Sequence, residues 1–355
     1  MGKKIAIIVA TSSTCNIDCS YCYMKASRRE IGKFDIAALP ALIKNCSLGF
    51  DEVEFCWHGG EPLLAGKEFY RQAIRIEKEM SASSGVQFRN VIQTNGILLD
   101  CEWVDFLKEE NFTFGFSFDA PLEVHRLHRG DNAEKVIAAW ELTRAANLPI
   151  GVICVISEHN VHKAREIFDF FLAHSVASYS FLTLRAVSTR NLPPLPTNDE
   201  ISALFAETFE LWLSRESSFS SIDPISTMVK ALIDGEPQAC SFAAPCPERM
   251  ISIDHNGNVI PCSSLVEDEF IMGNVFTSSL ADIIERKKRP LVQLRKDAQA
   301  AFCLGCEYVA LCNGGCRADA YWATGRYDGR YPHCEARKNT FSYLKRRLQQ
   351  LGVLA

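Results

Sequence analysis

From residue 4 to about residue 185, two spacings of apolar side chains take turns along the chain. KIAIIVA (4–10), VEFCWH (53–58), FRNVIQT (88–94), FTFGFSF (112–118), IGVICVI (150–156) and SYSFLTL (178–184) are short, rich in β-branched or aromatic residues, and predict six strands. Between them, residues 35–46, 67–82, 101–110, 133–146 and 163–174 space their apolar side chains for helices. Such alternation implies an α/β fold, a parallel sheet with helices outside it, closed or partly closed like a barrel. RNLPPLPTND (190–199) ends the pattern, and a helix-rich bridge follows over about 199–234. From Cys240 to Cys334 Gly, Asn and Pro displace the periodicity, and 335–351 again reads as a helix. The expected organisation is a first unit at 1–190, a helical bridge at 191–239, a loop-rich unit at 240–335 and a terminal helix at 336–355.

Composition narrows the functional classes. The 355 residues carry 43 acidic and 38 basic side chains, a formal charge of −5. That mild acidity argues against a dedicated nucleic-acid binder, which has to neutralise phosphates. RKKR (286–289) and KRR (345–347) sit in helix-like segments and read as solvated faces. No apolar run of the length a bilayer requires is present, and the short apolar start has strand character, so a cytoplasmic location is expected. In a reducing compartment, fifteen cysteines point to metal rather than to disulfides.

Three of those thiols crowd the stretch TSSTCNIDCSYCYM (11–24), just after the first strand. Loops at the carboxyl ends of parallel strands form the working face of such folds. A [4Fe–4S] cluster is normally held by four thiolates. Three leave one iron open, and an open metal position is where chemistry takes place. Three structural thiols, or a zinc site with a distant fourth ligand, are the competing reading.

CNIDCSYC resembles the signature of radical S-adenosylmethionine (AdoMet) enzymes. The resemblance implies that Cys15, Cys19 and Cys22 hold a cluster whose fourth iron binds AdoMet. Its one-electron cleavage gives a 5′-deoxyadenosyl radical that removes hydrogen from substrate. Tyr21 matches the aromatic that packs by the adenine, and Gly59, Gly60 and Glu61 in WHGGEP match the motif that bonds the methionine amino group. Thr94 and Asn95 in QTNG, with Ser117 and Asp119 in SFDA, stand at the next two strand ends. Ala120 replaces the Gly usual there, and Arg129 matches a downstream Arg paired with the AdoMet carboxylate. Ile156 and Leu184, ending strands five and six, would contact the adenine. His125, His128 and Arg129 read equally well as a solvated helix start.

Cys246-x10-Gly257-x4-Cys262, then Cys303-x2-Cys306-x5-Cys312-x3-Cys316 and Cys334, is similar to the SPASM extension of these enzymes, and Cys240 adds an eighth thiol. The resemblance implies a partial (β/α)6 TIM-like barrel followed by a loop-rich SPASM domain with two auxiliary [4Fe–4S] clusters. Cys240, Cys246, Cys262 and Cys316 would hold the first, and Cys303, Cys306, Cys312 and Cys334 the second. IDHNGNVIPC (253–262) reads as a small hairpin turning at Asn256-Gly257. A zinc ribbon on Cys303, Cys306, Cys312 and Cys316 would leave the other four thiols unexplained. Cys46, Cys56, Cys101 and Cys154 fall outside every motif and read as buried thiols.

SPASM enzymes mostly modify peptides, and fully ligated auxiliary clusters suit net two-electron oxidation. Sulfatase-maturing members carry an Asp directly after the cysteine matching Cys262, whereas Ser263 and Ser264 stand here. WHGGEPLLAG resembles maturases of ribosomally made peptides, so a side-chain crosslink in a precursor peptide is the leading expectation. Formylglycine formation from Ser or Cys, and dehydrogenation of a small molecule, are the alternatives. A non-catalytic iron–sulfur carrier would not need an open iron. Asp119 and His58 are the acid–base candidates, with Glu267, Asp268 and Glu269 behind them. Expected partners are the precursor peptide and a low-potential donor such as flavodoxin or ferredoxin. With fourteen residues ahead of Cys15, a separate leader-recognition protein or direct leader binding is also expected.

Overall fold

The structure is a computed structural model, and it describes residues 2–26, 32–185, 194–215, 218–237, 246–265 and 267–354. Its first half runs β1 (Lys4–Ser12), α1 (Leu39–Ser47), β2 (Glu52–Gly59), α2 (Lys67–Ser84), β3 (Gln87–Thr94), α3 (Cys101–Glu109), β4 (Thr113–Ser117), α4 (Leu122–Arg129), α5 (Ala133–Ala145), β5 (Gly151–Ile156), α6 (Ala164–Ala173) and β6 (Ser178–Thr183). The second half runs α7 (Asn198–Ser214), β7 (Ser221–Asp223), α8 (Ile225–Asp234), β8 (Met250–Ile253), β9 (Asn258–Ile260), β10 (Gly273–Asn274), α9 (Leu280–Phe302), α10 (Val309–Cys312), α11 (Arg317–Thr324) and α12 (Cys334–Gln350).

One ten-stranded sheet carries the molecule, in the order β10-β9-β8-β1-β2-β3-β4-β5-β6-β7. Strands β1 to β7 pair in parallel with their neighbours, β8 joins β1 in parallel, and β9 and β10 are antiparallel. Nothing pairs β7 with β10, so the sheet stays open as a partial barrel. Alternation does the sorting: Ile5, Ile7 and Val9 of β1, with Val53, Phe55 and Trp57 of β2, are buried in the core. Trp57 meets Phe69 and Tyr70 of α2 edge to face. The other face of β2 turns the opposite way and delivers His58 to the mouth.

The expected alternation of six strands is present, with three differences. The bridge contributes a seventh strand, β7, too short to leave a pattern in sequence. The loop-rich segment contains α9, a helix of 23 residues that buries Leu280, Ile283 and Ile284 despite an internal Pro290. Its hairpin β8–β9 turns at Gly257 (φ +79°), as expected, but it also extends the barrel sheet through β1. Hydrogen bonding therefore crosses the boundaries drawn at residues 190 and 240. Among the described residues no helix is long and apolar enough to cross a membrane.

Candidate active site

The loop after β1 is built against the loop after β2. Gly60 N–H donates to Ser12 O (2.7 Å), and Glu61 N–H donates to Thr14 O (3.0 Å). A Cβ on Gly59 would overlap Ser12 O, and one on Gly60 would overlap Thr14 O, so the approach requires both glycines. From the other side, Ser20 N–H donates to His128 O (2.9 Å). Cys15, Cys19 and Cys22 are thereby held at the barrel mouth.

Glu61 itself lies behind this loop, fully buried. One carboxylate oxygen accepts from Leu63 N–H (3.0 Å) and the Thr94 hydroxyl (2.7 Å), and the other from Asn95 N–H (2.9 Å). Burial raises its pKa while those three donors work against the shift. Glu61 thus ties β2 to the end of β3. Asn95, so placed, donates to Asn16 Oδ1 (2.7 Å) and reaches Cys15 Sγ (3.7 Å).

Asp119 is a second buried hub. Its carboxylate accepts from the Tyr21 hydroxyl, from Arg129 Nε (2.9 Å) and from Val155 N–H (2.9 Å). Arg129 also lies over the Tyr21 ring. Asp119 is fully buried and stands behind the cavity wall, where it positions Tyr21 and Arg129. His125, His128 and Arg129 are buried instead of forming a solvated helix start, while Arg126 and Leu127 between them face solvent. His128 bridges Ser20 and Ser157, and His125 stacks on Phe118 and bonds Asn132. Burial holds both imidazoles below the usual range, His125 at about 4.

The cavity in the mouth is lined by Cys15, Cys19, Cys22 and Tyr21, by His58, Gly59 and Gly60, by Thr94, Asn95, Ser117 and Arg129, and by Leu184. Glu61 and Asp119 support that wall from behind. Ile156 belongs to the core, and Ile153 and Val155 face the cavity in its place, because a one-residue offset on a strand reverses the side-chain direction. His58 keeps its place: its Nδ1 accepts from Gly59 N–H (2.6 Å), and burial lowers its pKa. The neutral ring therefore carries its proton on Nε2. Wall residues absent from the expected set include Tyr23, Met24, Gln93 and Arg185. Arg185 directly follows the apolar end of β6, a signal available in sequence. Tyr23 shares a hydrogen bond with Ser263, and burial pushes its phenol up to about 12.

These residues fit an iron–sulfur group with a bound cosubstrate. Three thiols line one open cavity, and because burial raises Cys15 and pushes Cys19 up to about 11, their thiolate forms call for a metal to offset the charge.

Two further groups of thiols lie in the C-terminal third. Cys303, Cys306, Cys312 and Cys334 line one cavity together with Arg317, Arg330, Arg337 and Lys338. Cys246, Cys262 and Cys316 gather beside Tyr327 and interact electrostatically, and Cys240 lies outside the described residues. Arg295 of α9 donates to Cys246 Sγ (2.9 Å) and to the carbonyls of Asn313 (2.8 Å) and Gly315 (3.2 Å). Among the described residues no three His, Cys, Asp or Glu side chains converge on a single-ion site. Cys303, Cys306, Cys312 and Cys334 instead surround a cavity, which suits a multi-iron cluster better than one zinc ion.

A parallel open barrel with three thiols in its mouth and a cysteine-rich extension on its sheet defines a class. The Radical SAM superfamily profile matches residues 9–171, and the SPASM iron–sulfur cluster-binding domain matches residues 240–307. The chain carries both domains and is a radical SAM enzyme with [4Fe–4S] clusters and AdoMet as its cofactors. Within the class it is similar to anaerobic sulfatase-maturating enzymes. The cysteine-type enzyme of Clostridium perfringens (strain 13 / Type A) is 25% identical over 329 residues, 88% of either chain. The serine-type enzyme of Bacteroides thetaiotaomicron is 23% identical over 354 residues, 91% of this chain and 85% of that one. The structure of native anSMEcpe with bound AdoMet and Cp18Cys peptide shares the fold, with a TM-score of 0.86 at 23% identity over 98% of both chains.

Proposed function

We propose that the enzyme oxidises a cysteine or serine side chain in a peptide to the aldehyde, formylglycine. The observation that carries this reading is the similarity to both cysteine- and serine-type sulfatase-maturating enzymes along nearly the whole chain. A crosslink in a ribosomally made precursor, expected from WHGGEPLLAG and from Ser263 in place of the family's Asp, has those two local signals behind it, and a leader-recognition protein belongs to that reading.

Cys15, Cys19 and Cys22 would hold the AdoMet-binding cluster. Cys246, Cys262 and Cys316 with Cys240, and Cys303, Cys306, Cys312 and Cys334, would hold the auxiliary clusters. Bound there, the cluster and AdoMet supply one-electron hydrogen-atom abstraction. Glu61 and Asp119 keep the loop, Asn95, Tyr21 and Arg129 in place around the cosubstrate. His58 offers a neutral Nε2–H to the cavity and serves as a donor, not a base.

Overall, the target would lose its Cβ–H as a hydrogen atom, its S–H or O–H as a proton, and one further electron, for which auxiliary clusters held by those cysteines would be the acceptor. For cysteine, water then converts the thioaldehyde to aldehyde and hydrogen sulfide. No carboxylate lines the cavity among the described residues, and Ser263 replaces the family's Asp, so the proton leaves by another route. A flavodoxin or ferredoxin would supply the initiating electron.

The test incubates the reconstituted, reduced enzyme and AdoMet with sulfatase-type peptides carrying Cys, Ser or Ala at the target. An aldehyde captured by a hydrazide in the Cys or Ser peptide is expected. Two hydrogens lost without a capturable aldehyde would overturn the reading in favour of crosslinking.

A further inference from the structure

Arg185 is a cation on a wall that is otherwise neutral nearby. It lines the cavity beside Leu182, Thr183, Leu184, Tyr23 and Met24. Its side chain is only 24% exposed, and its Nε donates to Asp319 Oδ1 (2.6 Å). Among the described residues its two Nη atoms have no hydrogen-bond partner, leaving four of the five guanidinium N–H groups unspent. Asp319 of α11 is itself half-buried and faces His333 and Arg337 as well as Arg185. Its carboxylate thus anchors Arg185 from one side without closing off the Nη edge.

The place in the fold matters. The thiols of Cys262 and Cys316 interact with Arg185, and Tyr23, bonded to Ser263, lies beside it. Arg185 therefore stands where the barrel mouth meets the auxiliary-cluster segment, the side on which the family's Asp is missing. Arg129, the other cation in the cavity, stands at the Tyr21 wall, and Asp119 engages both its Nε (2.9 Å) and its Nη2 (3.5 Å). A part-buried guanidinium with unspent donors calls for a planar anion.

We propose that Arg185 is the subsite for a carboxylate of the peptide substrate, either an acidic side chain next to the modified residue or the peptide's own C-terminus. The proposal rests on the peptide-oxidation reading above. A site that lost a negative group and presents a positive one selects peptides the opposite way from a site with an Asp at that corner.

The test uses the AdoMet-loaded holoenzyme and short peptides with Ala at the target, so that binding is read without turnover. Four forms place Glu or Gln beside the Ala, each with a free or an amidated C-terminus, and anaerobic calorimetry gives their affinities. Wild type should prefer the carboxylate member of one pair by about tenfold or more, and which pair responds identifies the source. Arg185→Gln should bring that ratio close to one, and Arg185→Lys should keep part of it. Asp319→Asn, which removes the competing carboxylate, should raise it. That variant decides the matter alone if both Arg185 variants lose their iron.

Equal affinities in wild type would overturn the proposal, as would a ratio that survives in Arg185→Gln. Weakened AdoMet binding in Arg185→Gln with the peptide ratio intact would assign the cation to the nucleotide instead. Because Ala peptides report binding alone, these outcomes are independent of whether Cys or Ser peptides yield aldehyde.

Discussion

Charged residues in this chain are poor guides to the surface. Glu77 sits on α2 only 4% exposed, with one carboxylate oxygen accepting from Asn90 Nδ2 (2.7 Å) and the other lacking a partner. Asn90 in turn accepts from Trp57 Nε1 (2.7 Å), so the acid ends a buried chain of donors. Burial is the main cause that pushes its pKa from 4.5 to about 8. Between those values the unfolded chain has released the proton while the folded one still holds it. Stability therefore falls as pH rises through that window and levels off above it. Glu77→Gln, uncharged throughout, should match wild type near pH 5 and exceed it by on the order of 4 kcal/mol near pH 9. Thermal unfolding of both proteins across that range checks it, and a constant difference at every pH would refute the ionisation argument. In sequence, Glu77, Glu61 and Asp119 are ordinary acids, because nothing in their neighbours' identity announces burial. Only the loops that close over them do.

At the scale of elements, legibility followed length and period. β1 to β6 and the helices between them repeat apolar residues often enough to be seen in the chain. β7, β8, β9 and β10 have two to four residues each; the β8–β9 hairpin shows through its Asn256-Gly257 turn, but the pairings of β7 with β6, of β8 with β1 and of β10 with β9 rest on neighbours that sequence spacing cannot reveal. α4 reads as solvated because His125, His128 and Arg129 look polar, yet Asn132, Ser157 and Asp119 wait for them inside. Of α9 only the helix-like stretch around RKKR shows in sequence, Pro290 masking its length, and its decisive residue is Arg295. That guanidinium satisfies two loop carbonyls and one cysteine sulfur, so Arg295→Met should orphan all three at once. The expected result is loss of the first auxiliary cluster, with reconstituted iron falling from about twelve to about eight per chain. AdoMet cleavage should persist. Retention of all the iron would mean that α9 merely braces the loop.

For the molecule as a whole, the thiol groups were readable because cysteine spacing is a local signal, while the unity of the fold was not. β8 pairs along Ala6–Val9, covering the edge of β1 that would otherwise end the barrel sheet. α12 packs against α7, where Glu210 accepts from Tyr343 (2.5 Å) and from Arg347 (2.7 Å and 3.0 Å). The two contacts clasp the barrel from opposite ends of its sheet. A chain ending at residue 237 would keep every element from β1 to α8 but expose the backbone edge of β1 and the apolar faces of α7 and α8. Unpaired edges and bare apolar faces drive aggregation. Such a fragment should be insoluble, or should unfold without a cooperative transition and fail to retain the iron of the Cys15 loop. Solubility, calorimetry and iron analysis of the fragment test this directly. If it stayed soluble with about four irons and released 5′-deoxyadenosine, the barrel would be autonomous and the shared sheet only a convenience. The physical expectation is the reverse: radical chemistry in the mouth depends on an edge strand supplied from beyond residue 240.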